Sequence, residues 1–420
     1  MEKETYFSKS KKIIFINFLF FFIPISIILG NSVLNTNIIL IDLAFLFLFF
    51  KDRNNKINFS LPFFFLILTN IFLLTNVYLS DYQKVSSIAY LGFVKHLIFF
   101  FALIFLLKKI EDFEIDFSKC IFFILIFVGF DTFIQFYFLK DIFGFEISAS
   151  HGRRLSGPFD DEYVVGSFLS KLVFLSLITF YFYKVKFYFR YLYLFSILVI
   201  IILSFERAAA IMVTAGSLLY LTIDRSINIK QKLFSYLLII FITMSLFLHV
   251  GDLKKHFVDR TLEQFGFIHT EENRKHFSIL DSHWGAHYLT AVEIFKNNKY
   301  LGSGIKTYRF ECKDKKYEKI KSVEKDARCS THPHNIYFEI LSETGLFGFS
   351  FFIIAVLCIF IKLFKIAFTS KKKEAQAVFV SFFIMFWPLQ TTGAFFSTWS
   401  GVFYWIVLAF SYYFAFKKVQ

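Results

Sequence analysis

Apolar residues run along this chain in long, nearly unbroken stretches, separated by short polar segments. A run of about 17–25 such residues is long enough to cross a bilayer as a helix. Runs of this kind fall near residues 13–29, 33–50, 61–79, 88–107, 120–139, 163–183, 187–203, 207–223, 233–250, 345–363, 376–390 and 398–416. The pattern predicts an all-α, polytopic integral membrane protein with about 12 transmembrane helices. Leu29-Gly30-Asn31-Ser32 offers no small-x-small cleavage site, so the first run is expected to stay as a membrane helix. Residues 251–335 are the one long polar segment. Loops beyond about 12–15 residues are usually functional or disordered. This one carries Trp284, several Tyr and the helical-looking piece His287–Lys296, so a folded, mostly helical loop is expected.

Composition narrows the classes. Of 420 residues, 56% are hydrophobic and 22% aromatic, with 67 Phe, 5 Pro and 4 Cys. Those values exclude a soluble enzyme, a disordered tail protein and a disulfide scaffold. The formal charge of +14 would suggest nucleic acid in a soluble chain. In a membrane protein it reads first as topology, because Lys and Arg collect in cytoplasmic loops. With the N-terminus inside, the cytoplasmic segments hold 23 Lys and Arg and the short outer segments five. Both termini are therefore expected in the cytoplasm and 251–335 outside, which in a Gram-negative cell is the periplasm. The charge then calls for no nucleic-acid partner. The chain divides into 1–250 (helices 1–9, with an outer loop at 140–162 that includes His151), 251–335 (the large loop) and 336–420 (helices 10–12).

Several polar groups interrupt the apolar runs: Asp42, Lys95, His96, Asp131, Gln135 and Lys171. Charges inside a membrane are costly and point to function by default. Nearly all fall in the outer half of the bilayer, which suggests a polar cavity open to the outside rather than a path across. The structural alternative is that Lys171 or Lys95 pairs with Asp131 to join helices. Cys312 and Cys329 lie 17 residues apart in an oxidising compartment and are a candidate disulfide, with two free thiols as the alternative. No CxxC pair occurs, so a structural zinc site is not expected.

The sharpest local pattern is Ser330–Gly348, STHPHNIYFEILSETGLFG. Pro333 fits the first turn of a helix, where its missing N–H costs nothing. His334 would then stand beside the positive end of the helix dipole, which favours a neutral imidazole. A neutral imidazole can take a proton from a hydroxyl as a general base. Asn335, Glu339 and Glu343 follow at four-residue spacing and make one polar stripe. Arg207 sits at the outer rim of a span, Arg153 and Arg154 on the 140–162 loop, and Arg309 after Gly302-Ser-Gly304. The guanidinium fork suits phosphate oxygens; snorkelling to headgroups is the plainer reading.

The run Thr331–Gly348 resembles the signature of the O-antigen ligase and O-antigen polymerase superfamily. Trp284, Ala291–Lys299 and Tyr300-Leu-Gly-Ser-Gly304 are similar to its Trp, helix and P-x-x-G-x-G pattern, with Lys299-Tyr300 standing where a Pro is usual. Arg153–Phe159 and Ser204–Ala208 resemble further landmarks in the expected order, so the resemblance covers about 150–350. It implies a glycosyltransferase of the bacterial inner membrane, without metal or other cofactor. Such an enzyme moves a glycan from undecaprenyl diphosphate to lipid A–core (a ligase) or to a second lipid-linked glycan (a polymerase). The compact, histidine-rich outer loop resembles the ligase branch more. The resemblance implies His334 as the base and Arg207 as a catalytic partner. It further implies Arg309, Arg153, Arg154, His332, Asn335 and Glu339 as residues that bind diphosphate or glycan. A transporter or flippase of a lipid-linked or anionic substrate is the alternative of another class. Transporters, however, place polar groups near the midplane.

Overall fold

The computed structural model describes residues 11–51, 60–147, 153–264, 282–320, 328–369 and 373–417; the chain ends and His151 lie outside these. Among the described residues, regular structure is helical, with one isolated antiparallel bridge between Lys140 and Glu146. The helices are α1 (Lys11–Phe21), α2 (Ile23–Ile28), α3 (Asn31–Lys51), α4 (Leu61–Leu79), α5 (Gln83–Lys109) and α6 (Phe113–Phe138). Then come α7 (Val165–Phe182), α8 (Phe187–Leu203), α9 (Arg207–Ile223), α10 (Ile229–His249), α11 (Gly251–Lys254) and α12 (Arg260–Gln264). The chain continues through α13 (His283–Asn297), α14 (Tyr308–Glu311), α15 (Ile336–Thr369), α16 (Glu374–Met385) and α17 (Thr398–Phe416). The apolar runs stay helical because little breaks them. Pro24 and Pro62 fall in the first turns of α2 and α4, where proline is tolerated. Asn228 opens α10 with a capping box, its side chain accepting from the Gln231 amide at 3.0 Å.

Among the described residues, eight helices, α3, α4, α5, α6, α7, α10, α15 and α17, are long and apolar enough to cross a membrane. The other four expected runs correspond to shorter apolar helices: Ile14–Ile28, α8, α9 and α16. Burial sorts them into layers. In α7 and α17, 83% of the apolar stretch is buried, against 11% in α10. α7 and α17 sit at the centre with α16; α6 packs on α7, α5 on α17 and α4 on α15. The peripheral helices turn large apolar side chains outward, among them Phe47, Phe64 and Phe241. An apolar surface of that extent marks a membrane-facing protein.

Four of the polar groups inside the spans join elements, though not as the Lys–Asp pairing would have it. Asp131 accepts the amide of Ile142 at 2.9 Å. Gln135 donates to the carbonyl of Phe145 and accepts from the Gly157 amide at 2.8 Å. Both therefore tie down the outer segment that follows α6, where backbone leaves the helix and needs partners. Lys95 donates to Asn35 and, at 3.2 Å, to Thr398, linking α3, α5 and α17. Lys171 stands over the rings of Trp399 and Phe403, 4.8 and 4.7 Å from their centroids. In the large loop, the expected helical piece is α13, packed against α15. Cys312 and Cys329 form a disulfide, with Cα atoms 5.4 Å apart.

Candidate active site

The site is framed by a break in α15. Gly345 takes φ 64° and ψ −167° inside the helix, a conformation open to glycine and costly for other residues. The backbone freed there is taken up by the 299–304 loop. Ser303 and Gly304 donate their amides to the carbonyls of Ser342 and Glu343 at 3.1 and 3.0 Å, and the Leu346 amide reaches the Lys299 carbonyl at 2.8 Å. A Cβ on Gly302 would lie 2.3 Å from the Glu343 carbonyl oxygen, so glycine is what lets the two backbones touch. The glycine pattern and the histidine run, read separately in the sequence, are halves of one interlock.

The polar stripe of α15 locks three further segments. Asn335 accepts the amides of Tyr337 (2.9 Å) and Phe338 (3.3 Å) and so caps the helix. Its amide group donates to the carbonyls of Pro388 and Gln390 at 2.7 and 3.2 Å. Glu339 accepts from the Phe395 amide at 2.8 Å, and Glu343 from the amides of Lys306 and Tyr308 at 2.6 and 3.1 Å. All three are at most 2% exposed. Asn335 and Glu339 thus engage protein backbone. Because Asn335 is the cap, the helix starts at Ile336 and Pro333 lies before its first turn, a correction to the expected start.

His334 therefore sits just outside the helix, with φ 56°. Its Nε2 lies 3.0 Å from Ser330 Oγ, and its carbonyl accepts the Thr392 amide at 2.7 Å. His332 Nε2 lies 3.0 Å from the Thr392 carbonyl and must donate to it, which leaves Nδ1 to accept from the Thr331 hydroxyl at 2.9 Å. Burial pushes the His332 pKa down; the Thr392 carbonyl opposes this and the charge of Arg309 adds to it. Around His334 stand the rings of His332 (4.1 Å), Trp284 (5.1 Å) and His287 (5.4 Å). His287 is fully buried. Its three-residue spacing from Trp284 on one helix was the only sequence signal for it.

The arginines divide. Arg207 opens α9 and donates to Thr261 at 3.0 Å, and the charges of Arg260 and Arg154 act on it. Arg154 also donates to the Tyr163 carbonyl at 2.8 Å. Arg153 instead pairs with Asp252 at 3.1 Å on the surface. Arg309 lies on α14, and its charge acts on both Lys306 and His332. Burial and Arg309 hold the Lys306 amine below its ordinary pKa. Glu206, which precedes Arg207, accepts the amides of Gly166 and, at 3.0 Å, Ser167 at the start of α7; an anion there complements the helix dipole. Ser167, Lys171, Ala208, Gln390, Thr392 and Tyr404 line a cavity. Ala208 directly follows Arg207 in the chain, and Thr392 is the residue that bonds both histidines.

Residues 192–353 match the family model described as O-antigen ligase. Over this region the chain is similar to that family. The region contains Arg207, Trp284, the 299–304 loop and the whole histidine run. The family indicates an O-antigen ligase or polymerase type of function, in a multi-pass membrane protein with lipid-linked glycan and acceptor as partners in general terms. Arg153 and Arg154 precede the matched region, although the resemblance in the sequence began there. No curated protein matches the chain significantly.

Proposed function

We propose that this protein is an O-antigen ligase that transfers a glycan from undecaprenyl diphosphate to lipid A–core on the periplasmic face of the bacterial inner membrane. In this reading the chain has about twelve spans, both termini are cytoplasmic, and 251–335 is periplasmic. One observation carries it: a single cavity is lined both by Ala208, the residue after Arg207, and by Thr392, whose backbone bonds His332 and His334.

The chemistry follows from those neighbours. His334 takes the proton of an acceptor sugar hydroxyl as its oxygen bonds to the anomeric carbon of the donor. The bond from that carbon to the diphosphate oxygen breaks on the opposite face, so the anomeric configuration inverts. Charge grows on the leaving diphosphate, where Arg207 and Arg154, together with Arg309, meet it with charge-assisted hydrogen bonds. His332 holds the Thr392 loop against the base, and Asn335 and Glu339 keep α15 and the 388–395 segment in register. The reaction calls on no metal and no cofactor.

The test is transfer in a reconstituted system. Purified protein receives undecaprenyl-diphosphate glycan with and without lipid A–core, beside His334→Ala. Glycan on lipid A–core, lost in the variant, is the expected result. Longer lipid-linked chains formed without that acceptor would make the protein a polymerase. Folded protein that transfers nothing in either mixture would favour a transporter of the same lipid.

A further inference from the structure

We propose that Ser330 and the Cys312–Cys329 disulfide are a positioning unit for His334, assembled only when the two cysteines are oxidised. The inference rests on reading His334 as the base. Cys312 directly follows α14, the helix that carries Arg309, and is fully buried. Cys329 directly precedes Ser330, whose Oγ is 3.0 Å from His334 Nε2. One covalent bond thus links the arginine helix to the residue that touches the imidazole.

Residues 328–335 form no helix or strand, and His334 holds a left-handed backbone. Such a conformation in a residue other than glycine persists where its surroundings fix it. Several of the contacts that fix the segment gather at the disulfide. Arg328 donates from Nε to the Cys312 carbonyl at 3.1 Å. The Tyr308 hydroxyl lies 2.9 Å from the Arg328 carbonyl and 3.2 Å from that of His287. Cys312 and Tyr308 belong to a small apolar cluster with Ala291, Ile294 and Tyr317, against which Cys329 packs. The cluster therefore anchors one end of the segment and Thr392 the other, with Ser330 orienting the ring between them.

Opening the bond takes two electrons and two protons from a dithiol, which ends as its own cyclic disulfide, and leaves two thiols. Cys329 is then released from Cys312, and Ser330 loses the anchor that aims it at Nε2. A chain that has not yet met an oxidising compartment holds its base out of register.

The experiment reads the imidazole itself. Purified protein in detergent is treated with diethyl pyrocarbonate, and modification of His334 is followed by peptide mass spectrometry, with exposed His249 as internal reference. The samples are wild type, wild type reduced with dithiothreitol, Ser330→Ala, Ser330→Thr and the Cys312→Ser/Cys329→Ser double variant. Reduction and Ser330→Ala should each speed His334 modification about 2–10-fold, the change in population expected from one lost hydrogen bond. Ser330→Thr keeps the hydroxyl and should keep the wild-type rate. Reoxidation should restore slow modification. Equal rates in oxidised, reduced and Ser330→Ala protein would overturn the proposal. If the double cysteine variant does not fold, reduction of folded wild type gives the same reading. A parallel transfer assay separates the two claims: His334→Ala that still transfers glycan removes the base assignment, whereas the labelling result judges the positioning unit alone.

Discussion

Thr392 donates its amide to the carbonyl of His334 at 2.7 Å, while its own carbonyl meets His332 Nε2 at 3.0 Å. One residue between α16 and α17 thus grips both histidines of the His-x-His run, and it also lines the cavity. The candidate base is held by the helical core as well as by the segment that carries it. Changes to its side chain should therefore spare the fold.

Replacing His334 by Ala is the direct case. The bond to Thr392 uses the His334 carbonyl, which Ala keeps, so the loop stays in place. General-base catalysis typically contributes about 10²–10⁴-fold. Transfer should fall by that order while thermal unfolding and elution volume stay close to wild type. Near-normal transfer by the folded variant would remove His334 from the role.

The arginines should separate in the same assay. Hydrogen bonds to charged groups contribute about 1.5–3 kcal/mol, so Arg207→Ala should lower kcat/KM for the lipid-linked donor about 10–100-fold. Arg153 pairs with Asp252 on the surface, where both side chains are more than half exposed. Exposed pairs contribute about 0–1 kcal/mol, and Arg153→Ala should change kcat/KM by no more than a few-fold. Equal losses in the two variants would place Arg153 in the site as well.

How far the site was legible from sequence follows from the range of its contacts. The apolar runs, the cysteine pair and the His334 and Arg207 landmarks are local patterns, and each could be read in place. The stripe of Asn335, Glu339 and Glu343 was visible as a stripe, but its partners at 388–395 and 306–308 are set by tertiary packing. Pro333 misled because a proline signals a helix start only when no better cap follows, and Asn335 is a better cap. Asp131 misled for a related reason: a carboxylate at the membrane depth of Lys95 and Lys171 was taken up instead by the Ile142 amide, where the helix ends. His287 and Glu206 drew no attention because their roles depend on α15 and α7, far away in the chain.

The interlock at the α15 break can be tested through glycine. A Cβ on Gly345 would stand 2.5 Å from the Gly302 amide nitrogen and from the Tyr300 carbonyl, on a backbone of φ 64°. Steric overlap and the left-handed backbone each cost about 1–3 kcal/mol. Gly345→Ala should lower the unfolding temperature sharply or abolish accumulation of folded protein. Gly92 has nothing within 4 Å of a built Cβ and lies within α5, so Gly92→Ala should leave stability equal or slightly higher. A Gly345→Ala protein as stable as wild type would mean that the helix is not broken there.

Acid should weaken the arginine side of the site through His256. Its ring meets that of Phe205 edge-on at 5.4 Å. Burial, then the charges of Arg207 and Arg260, push its pKa down to about 4. A free histidine titrates near 6.5. Between those values the unfolded chain takes up a proton that the folded chain refuses, so stability falls as pH drops from about 6.5 to 4. Above about 6.5 the imidazole is neutral in both states and contributes no slope. His256→Gln removes the titration and keeps a polar side chain. Unfolding temperatures of wild type and variant should thus run parallel from pH 8 to about 6.5 and converge or cross below it, wild type losing more. Identical acid slopes would mean that His256 is not held neutral beside the arginines, and the account of that arginine cluster would have to change.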